Sequence, residues 1–240
     1  KENKYNPQTI FISCHFYYYL DLSKYSNILR IGNYYLLNKM KLFYAQYSRA
    51  VRVAWLLEEL ELLYEIEKYT IGDRALREPE FKKIHPLGRV PVLLDGDITL
   101  YESGAIIQYL LEKYSSGPLQ IESTHPNFHQ YLQWFHFAEG MIMPPLNTIV
   151  VETVLLPPER KNEVNVKRAT KILGLILNSV EDRLNQVEYL AGEFSAADIM
   201  SGHALIMAGH HGIDLSEKPN CQKYVNKLMS RPSLQKAWAL

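Results

Sequence analysis

Apolar and polar positions follow two regimes along this chain. Between Lys41 and Tyr114, short apolar runs alternate with helical patterns; beyond Thr124, almost every apolar residue falls at helical spacing. In the first regime, Leu42 and Phe43 predict a strand over 41–44. Ala50, Val53, Ala54, Leu57 and Leu60 share one face of a helix over 49–60, with Ser48 placed as its N-cap. A second strand over 64–71 carries Ile66 and Tyr69-Thr70, and a short helix over 80–84 follows a loop. Val90 to Leu94 is β-branched and apolar, which suits a buried strand. Asp95-Gly96 supplies the positive φ of a tight turn, and Ile98 to Leu100 returns as the partner strand. A helix then runs over 103–114. The order is βαβ, then α, then ββα. Ser115 to Pro118 breaks the pattern and marks a domain boundary.

The second regime predicts an all-helical domain over 118–240. Phe128, Tyr131, Leu132, Phe135 and Ala138 lie on a helix over 127–143, which Pro144-Pro145 must kink or end. Pro157-Pro158 opens a long helix reaching about Gln186, with Ile172, Leu173, Ile176, Val180 and Leu184 inward. Ser195 and Asp198 read as a reciprocal cap, with Phe194 stapled to Ile199; both polar residues are assigned to structure rather than chemistry. Short helices over 221–229 and 233–239 end the chain. Residues 1–40 show no sustained period and are expected to form a poorly ordered extension ahead of the domain over 41–117, either an addition upstream of a natural initiator at Met40 or a genuine adaptor or targeting tail.

Composition narrows the function classes. A hydrophobic content of 47% with 22% charged residues fits an ordinary soluble globular protein. Net charge is zero, so no global field favours nucleic acid or membrane surfaces. No apolar run approaches the roughly 20 residues of a membrane span, and the apolar stretch from Thr9 to Leu20 lacks a signal-peptide cleavage site. A cytoplasmic location is expected. Cys14 and Cys221 are the only cysteines, so no Cys-x-x-Cys motif exists, and no Cys/His spacing suits a metal. His203 and His210 lie seven apart on one helix face without a completing carboxylate.

The chemistry concentrates between His85 and Ala105. Pro91 lacks an N–H for a sheet ladder and so belongs at a strand start; a cis Val90–Pro91 bond would turn the Val90 backbone toward a peptide-like ligand. Glu102-Ser103 stands at a helix start, where free N–H groups and a hydroxyl suit a carboxylate and Glu102 suits an ammonium group. Together they fit an α-amino acid head group. Arg89-Val-Pro-Val-Leu, then Asp-Gly, then Tyr-Glu-Ser-Gly-Ala-Ile resembles the glutathione site of the cytosolic glutathione transferases. The resemblance covers 41–240. Ser48-Arg49 and Lys82-Lys-Ile-His-Pro-Leu-Gly-Arg89 look closest to a fungal and bacterial serine-type branch.

That resemblance implies an α/β thioredoxin-like N-terminal domain plus an all-α C-terminal domain. It implies a homodimer that joins the glutathione thiolate to small electrophiles, with glutathione-dependent peroxidase activity as a further expectation. Glutathione is then a cosubstrate, and no other cofactor or metal is expected. A cysteine thiol ionises near pH 8.5, and lowering its pKa by about two units takes roughly 2.7 kcal/mol of preference for the anion. Ser48, four residues before Arg52 as in serine-type enzymes, is the expected thiolate stabiliser. Tyr44 is the rival, because tyrosine-type enzymes carry their hydroxyl at the end of the first strand. Val90, Glu102, Ser103, Arg77 and Arg89 are expected to hold glutathione, and Tyr131, Trp134 and Phe137 to wall the electrophile pocket. His85 reads as a loop anchor. The competing reading is a non-catalytic protein that uses the same fold for binding or regulation.

Overall fold

Leu42, Tyr44 and Leu93 send their side chains into a common core, and the sheet is built around them. The computed structural model describes residues 40–115 and 117–240. The extension read over 1–39 therefore lies outside the described residues. Met40 itself is 2% exposed, and its carbonyl accepts from the Glu65 N–H, so it belongs to the first strand's edge of the core.

Four strands form one mixed sheet. They are β1 (Lys41–Ala45), β2 (Glu65–Tyr69), β3 (Val92–Asp95) and β4 (Ile98–Tyr101), in the order β2-β1-β3-β4. β1 pairs parallel with β2 across α1 (Ala50–Glu59), and β3 and β4 run antiparallel. β3 starts two residues later than its apolar run suggests, because Pro91 has no N–H for the ladder; the Val90–Pro91 bond is cis. A 3₁₀ turn (Arg74–Arg77) and α2 (Pro79–Lys82) precede the loop that leads to β3. Gly88 holds that loop closed: its φ is +61°, and a Cβ there would lie 2.2 Å from the Leu76 carbonyl oxygen. His85 anchors it from within, accepting from the Leu87 N–H at 3.1 Å and resting on Tyr101. α3 (Ser103–Tyr114) then packs beside α1.

The remaining helices are α4 (Phe128–Phe137), α5 (Met143–Val150), α6 (Glu163–Leu184), α7 (His203–His210), α8 (Pro219–Met229) and α9 (Pro232–Ala239). Pro144 and Pro145 neither end nor break the path. The turn over Ala138–Ile142 widens, the Met143 N–H reaching the Ala138 carbonyl, and the prolines fall in the first turn of α5, where no N–H is required. Pro157-Pro158 opens only a 3₁₀ turn. α6 begins later, at an Asn162 side chain that accepts from the Val164 and Asn165 N–H groups.

The Ser195–Asp198 cap is one-sided. Asp198 accepts from the Ser195 N–H at 2.9 Å, while the Ser195 hydroxyl turns toward Asp198 instead of capping the helix. Phe194 packs on Trp55 and Tyr189 beneath the Arg231 guanidinium, against the core that holds Ile199.

Candidate functional site

A cleft of about 320 Å³ opens where the β1–α1 loop, the loop before β3 and the helical half meet. Ser48, Arg49, Arg77, Arg89 and Val90 border it on one side; Met143, Leu146, Val150, Leu155, His203, Met207 and His211 border it on the other. Four expected residues are thus gathered in one place: Ser48, Val90, Arg77 and Arg89. Gly88 makes that possible, because its close approach to Leu76 brings the Arg89–Val90 backbone beside the Arg77 turn.

Ser48 sits two residues ahead of α1, which starts at Ala50, one residue later than its apolar period suggests. Its hydroxyl accepts from the Ala50 N–H at 3.1 Å and donates to the Ala45 carbonyl at 2.6 Å. The proton expected to point outward is therefore engaged within the loop. Tyr44 is removed from the cleft altogether. It is 1% exposed and donates to the Ala237 carbonyl at 2.8 Å, and burial, with Tyr47 adding to it, pushes its pKa up to about 12. A phenol so placed meets no ligand in the cleft. The end of β1 faces inward, and the Tyr44 hydroxyl expected as the rival is turned toward α9.

Glu102 and Ser103 do not line this cleft; they stand at its neighbouring edge. The pairing of Val92 with Tyr101 leaves Pro91 and Glu102 as the next residues on adjoining chains. Glu102 is exposed and carries a φ of +73°, an uncommon conformation for a residue with a side chain. Ser103 is 3% exposed, and its Oγ accepts from Arg52 Nη1 at 3.3 Å. The Ser103 oxygen is thus an acceptor toward Arg52, which leaves its proton for another partner.

Arg52 was not a candidate from sequence. It lies between Val51 and Val53 and reads as an interruption of an apolar face, yet it is fully buried. Arg52 donates to Glu139, to Ser103 and, through Nε, to His203 Nδ1 at 3.1 Å. Arg49 donates to both Glu139 oxygens at 2.9 Å. Burial alone would raise the Glu139 pKa, but Arg52 and Arg49 outweigh it and hold the carboxyl below its usual value. This cluster ties α1, the start of α3, the wide turn after α4 and the start of α7 together beneath the cleft.

The residues expected to wall the electrophile pocket stand apart from this cleft. Tyr131 and Trp134 are 5% and 4% exposed, Phe137 rests on Trp134 with ring centres 4.7 Å apart, and none of the three borders the cleft. Their stripe faces the packed interior of the helical half. The side chains that do face the cleft lie past the prolines. Met143, Leu146 and Val150 continue the helical period at steps of three and four, a signal concealed by reading Pro144-Pro145 as a stop. His210 stacks on Tyr47, at 4.3 Å, and forms no metal group with His203; none of three or more ligands exists among the described residues.

A mixed four-stranded sheet with helices, a cis-proline loop bordering a cleft, and an all-helical half define the thioredoxin-like class of two-part transferases. Residues 38–112 match the model of the family described as glutathione S-transferase, N-terminal domain. The chain is 31% identical over 200 residues to glutathione S-transferase 3 of Schizosaccharomyces pombe, covering 78% of this chain and 81% of that one. It is 32% identical over 188 residues to glutathione S-transferase 4 of Zea mays, covering 75% and 82%. Among solved structures, it is similar to the glutathione transferase URE2P8 of Phanerochaete chrysosporium, crystallised with oxidized glutathione. That likeness has 28% identity, coverage of 84% and 94%, and a TM-score of 0.75. The chain belongs to the glutathione S-transferase family.

Proposed function

We propose that this chain is a glutathione S-transferase of serine type, in which Ser48 stabilises the thiolate of glutathione. The observation that carries the reading is the position of Ser48: its hydroxyl stands at the head of α1, on the wall of the cleft that Val90 borders. Glutathione lies along the Val90 backbone, with its amino-acid head toward Glu102 and Ser103 and its other carboxylate toward Arg77 and Arg89. The Ser48 proton leaves the Ala45 carbonyl for the sulfur, while the Ala50 N–H keeps the oxygen in place. The thiolate then attacks an electrophile seated against Met143, Leu146, Val150, Leu155 and Met207. Organic hydroperoxides belong to the same proposal, since their O–O bond offers an electrophilic oxygen. No other cofactor or metal enters.

Assembly as a homodimer is part of this reading. Leu87 and Tyr101, 70% and 40% exposed beside the cleft loop, offer apolar surface for a second copy. A cytoplasmic location belongs to it as well; among the described residues, no helix is long and apolar enough to cross a membrane.

Thiolate absorbance of the glutathione complex, followed against pH, tests the assignment. In the wild type, the bound thiol should titrate well below its free value. Ser48→Ala should move that titration up by about one to two pH units and lower kcat far more than it weakens glutathione binding. Tyr44→Phe should leave the titration in place. An unmoved titration in Ser48→Ala removes Ser48 from the role; a wild type with an unperturbed thiol favours the non-catalytic binding reading.

A further inference from the structure

Two hydrogen bonds and an aromatic stack close the turn from Ala45 to Ser48. The Ser48 hydroxyl donates to the Ala45 carbonyl at 2.6 Å, and the Gln46 side chain donates to the Trp238 carbonyl at 2.9 Å. The Tyr47 ring lies flat on His210, the last residue of α7, with centres 4.3 Å apart and planes 9° from parallel. It meets the Trp238 ring edge-on at 5.8 Å. Tyr47 has a φ of +61°, which a residue with a side chain holds only when its surroundings impose it. Core packing does not impose it. The residue is 37% exposed and borders both the cleft and a second hollow of about 520 Å³ against Ile206, Ile213 and Val225. The aromatic contacts are what remain to hold that backbone, and Ser48 is the next residue along it.

We propose that Tyr47 is a positioning residue for Ser48, acting through its stack on His210 and its edge contact with Trp238. The inference rests on the reading of Ser48 as the thiolate stabiliser. On that reading, the Ser48 proton leaves the Ala45 carbonyl for the sulfur. The move opens one closure of the turn at the moment when the serine oxygen must stay in place. The Tyr47 stack and the Gln46 bond do not involve the moving proton, so they keep the turn shut through the exchange. The Tyr47 contacts therefore weigh on thiolate formation and only lightly on tripeptide binding. They make the ends of α7 and α9 supports of the turn that carries Ser48.

The test follows thiolate absorbance of the glutathione complex against pH. It is read together with kcat and with the calorimetric affinity for S-methylglutathione, which has no thiol to ionise. Tyr47→Phe keeps the ring and should match the wild type in all three. Tyr47→Ala should raise the bound-thiol titration by about 0.4–1 pH unit, the worth of one aromatic pair, and lower kcat about three- to tenfold. Its affinity for S-methylglutathione should stay within about twofold of the wild type, because the lost contacts favour the thiolate. His210 is exposed, and His210→Ala removes the other half of the stack without touching the turn. It should move the titration in the same direction, and the two substitutions together should move it by less than their sum. A titration that stays put in both Tyr47→Ala and His210→Ala overturns the proposal. So does a Tyr47→Phe shift as large as that of Tyr47→Ala, which assigns the effect to the hydroxyl. An equal loss of kcat and S-methylglutathione affinity overturns it as well, since it marks a turn that has come apart. If Tyr47→Ala does not fold, His210→Ala and Tyr47→Phe decide by the same readings. An unmoved titration in Ser48→Ala removes the thiolate reading itself. A shift in Ser48→Ala with none in Tyr47→Ala or His210→Ala removes only the role of Tyr47.

Discussion

At the scale of single residues, spacing located the loop but not the direction of each side chain. Val90-Pro91 and Ser48 were legible because a proline at a strand start and a hydroxyl at a helix start are local facts of the sequence; Arg77 and Arg89 were named only through the family resemblance. Tyr44 and Tyr131 lie in the core and not on the cleft, a difference the sequence does not carry, because an aromatic residue on an apolar face looks the same whether it faces a cleft or a core. Arg52 entered the sequence reading only as the arginine that follows Ser48 in the serine-type pattern; its burial left no sign, since a buried arginine becomes acceptable only when distant Glu139, Ser103 and His203 meet it. Glu102 gives the most direct binding test. Its φ of +73° is strained for a side-chain-bearing residue, a kind of outlier that clusters at binding sites. Glu102→Gln keeps the shape and removes the charge; Ser103→Ala removes the donor but leaves Glu139 to hold Arg52. Each should cost about 1.5–3 kcal/mol of glutathione binding, the range of one charge-assisted hydrogen bond. Calorimetry on the folded variants checks this, and unchanged affinity in both eliminates the head-group site.

At the scale of elements, the periods were read correctly where nothing interrupted them and poorly at prolines. The sequence pattern placed α1, α3 and the hairpin of β3 and β4 within about two residues. It missed the continuity from α4 into α5, because one widened turn moves the hydrogen bonds past the prolines and no residue announces that shift. The Ser195–Asp198 turn was legible as structure, though not in its full cost. Asp198 is fully buried and accepts from the Leu190 and Ser195 N–H groups and the Tyr224 hydroxyl. Burial nevertheless dominates and lifts its pKa to about 6 from 3.8. The folded state therefore binds more protons than the unfolded state between about pH 4 and 6. Stability from this group is fully present below pH 3.8 and is lost as pH rises through about 6. Asp198→Asn abolishes that titration. Urea unfolding at several pH values should show the wild type gaining on the variant by about 2–3 kcal/mol as pH falls from 7 to 4. A difference that stays flat with pH means that Asp198 titrates normally.

At the scale of the whole molecule, the two patterned regimes suggest two domains, but the packing joins them. One continuous core holds Leu42, Trp55 and Ile107 from the first half together with Phe135, Leu205, Leu228 and Leu234 from the second. α9 lies against α1, and Glu59 near the end of α1 is held by Arg231 and Ser233 beside the start of α9. The Tyr44 and Gln46 side chains donate to the Ala237 and Trp238 carbonyls. These contacts join positions nearly two hundred residues apart, which is why no local pattern revealed them. A shared core of this kind unfolds as a unit, because separating the halves would expose the apolar faces of both. Trp55 lies in the first half, and Trp134 and Trp238 lie in the second, so variants that keep one tryptophan at a time report on each. Their urea transitions should coincide with each other and with the loss of helical circular dichroism. Leu234 is fully buried in α9, and Leu234→Ala should cost about 2–5 kcal/mol through lost burial and the cavity it leaves. Because the core is continuous, that substitution should shift the Trp55 signal as far as the Trp238 signal. Two separated transitions, or a Leu234→Ala shift confined to Trp238, would show that the halves fold independently and that α9 only rests on the first.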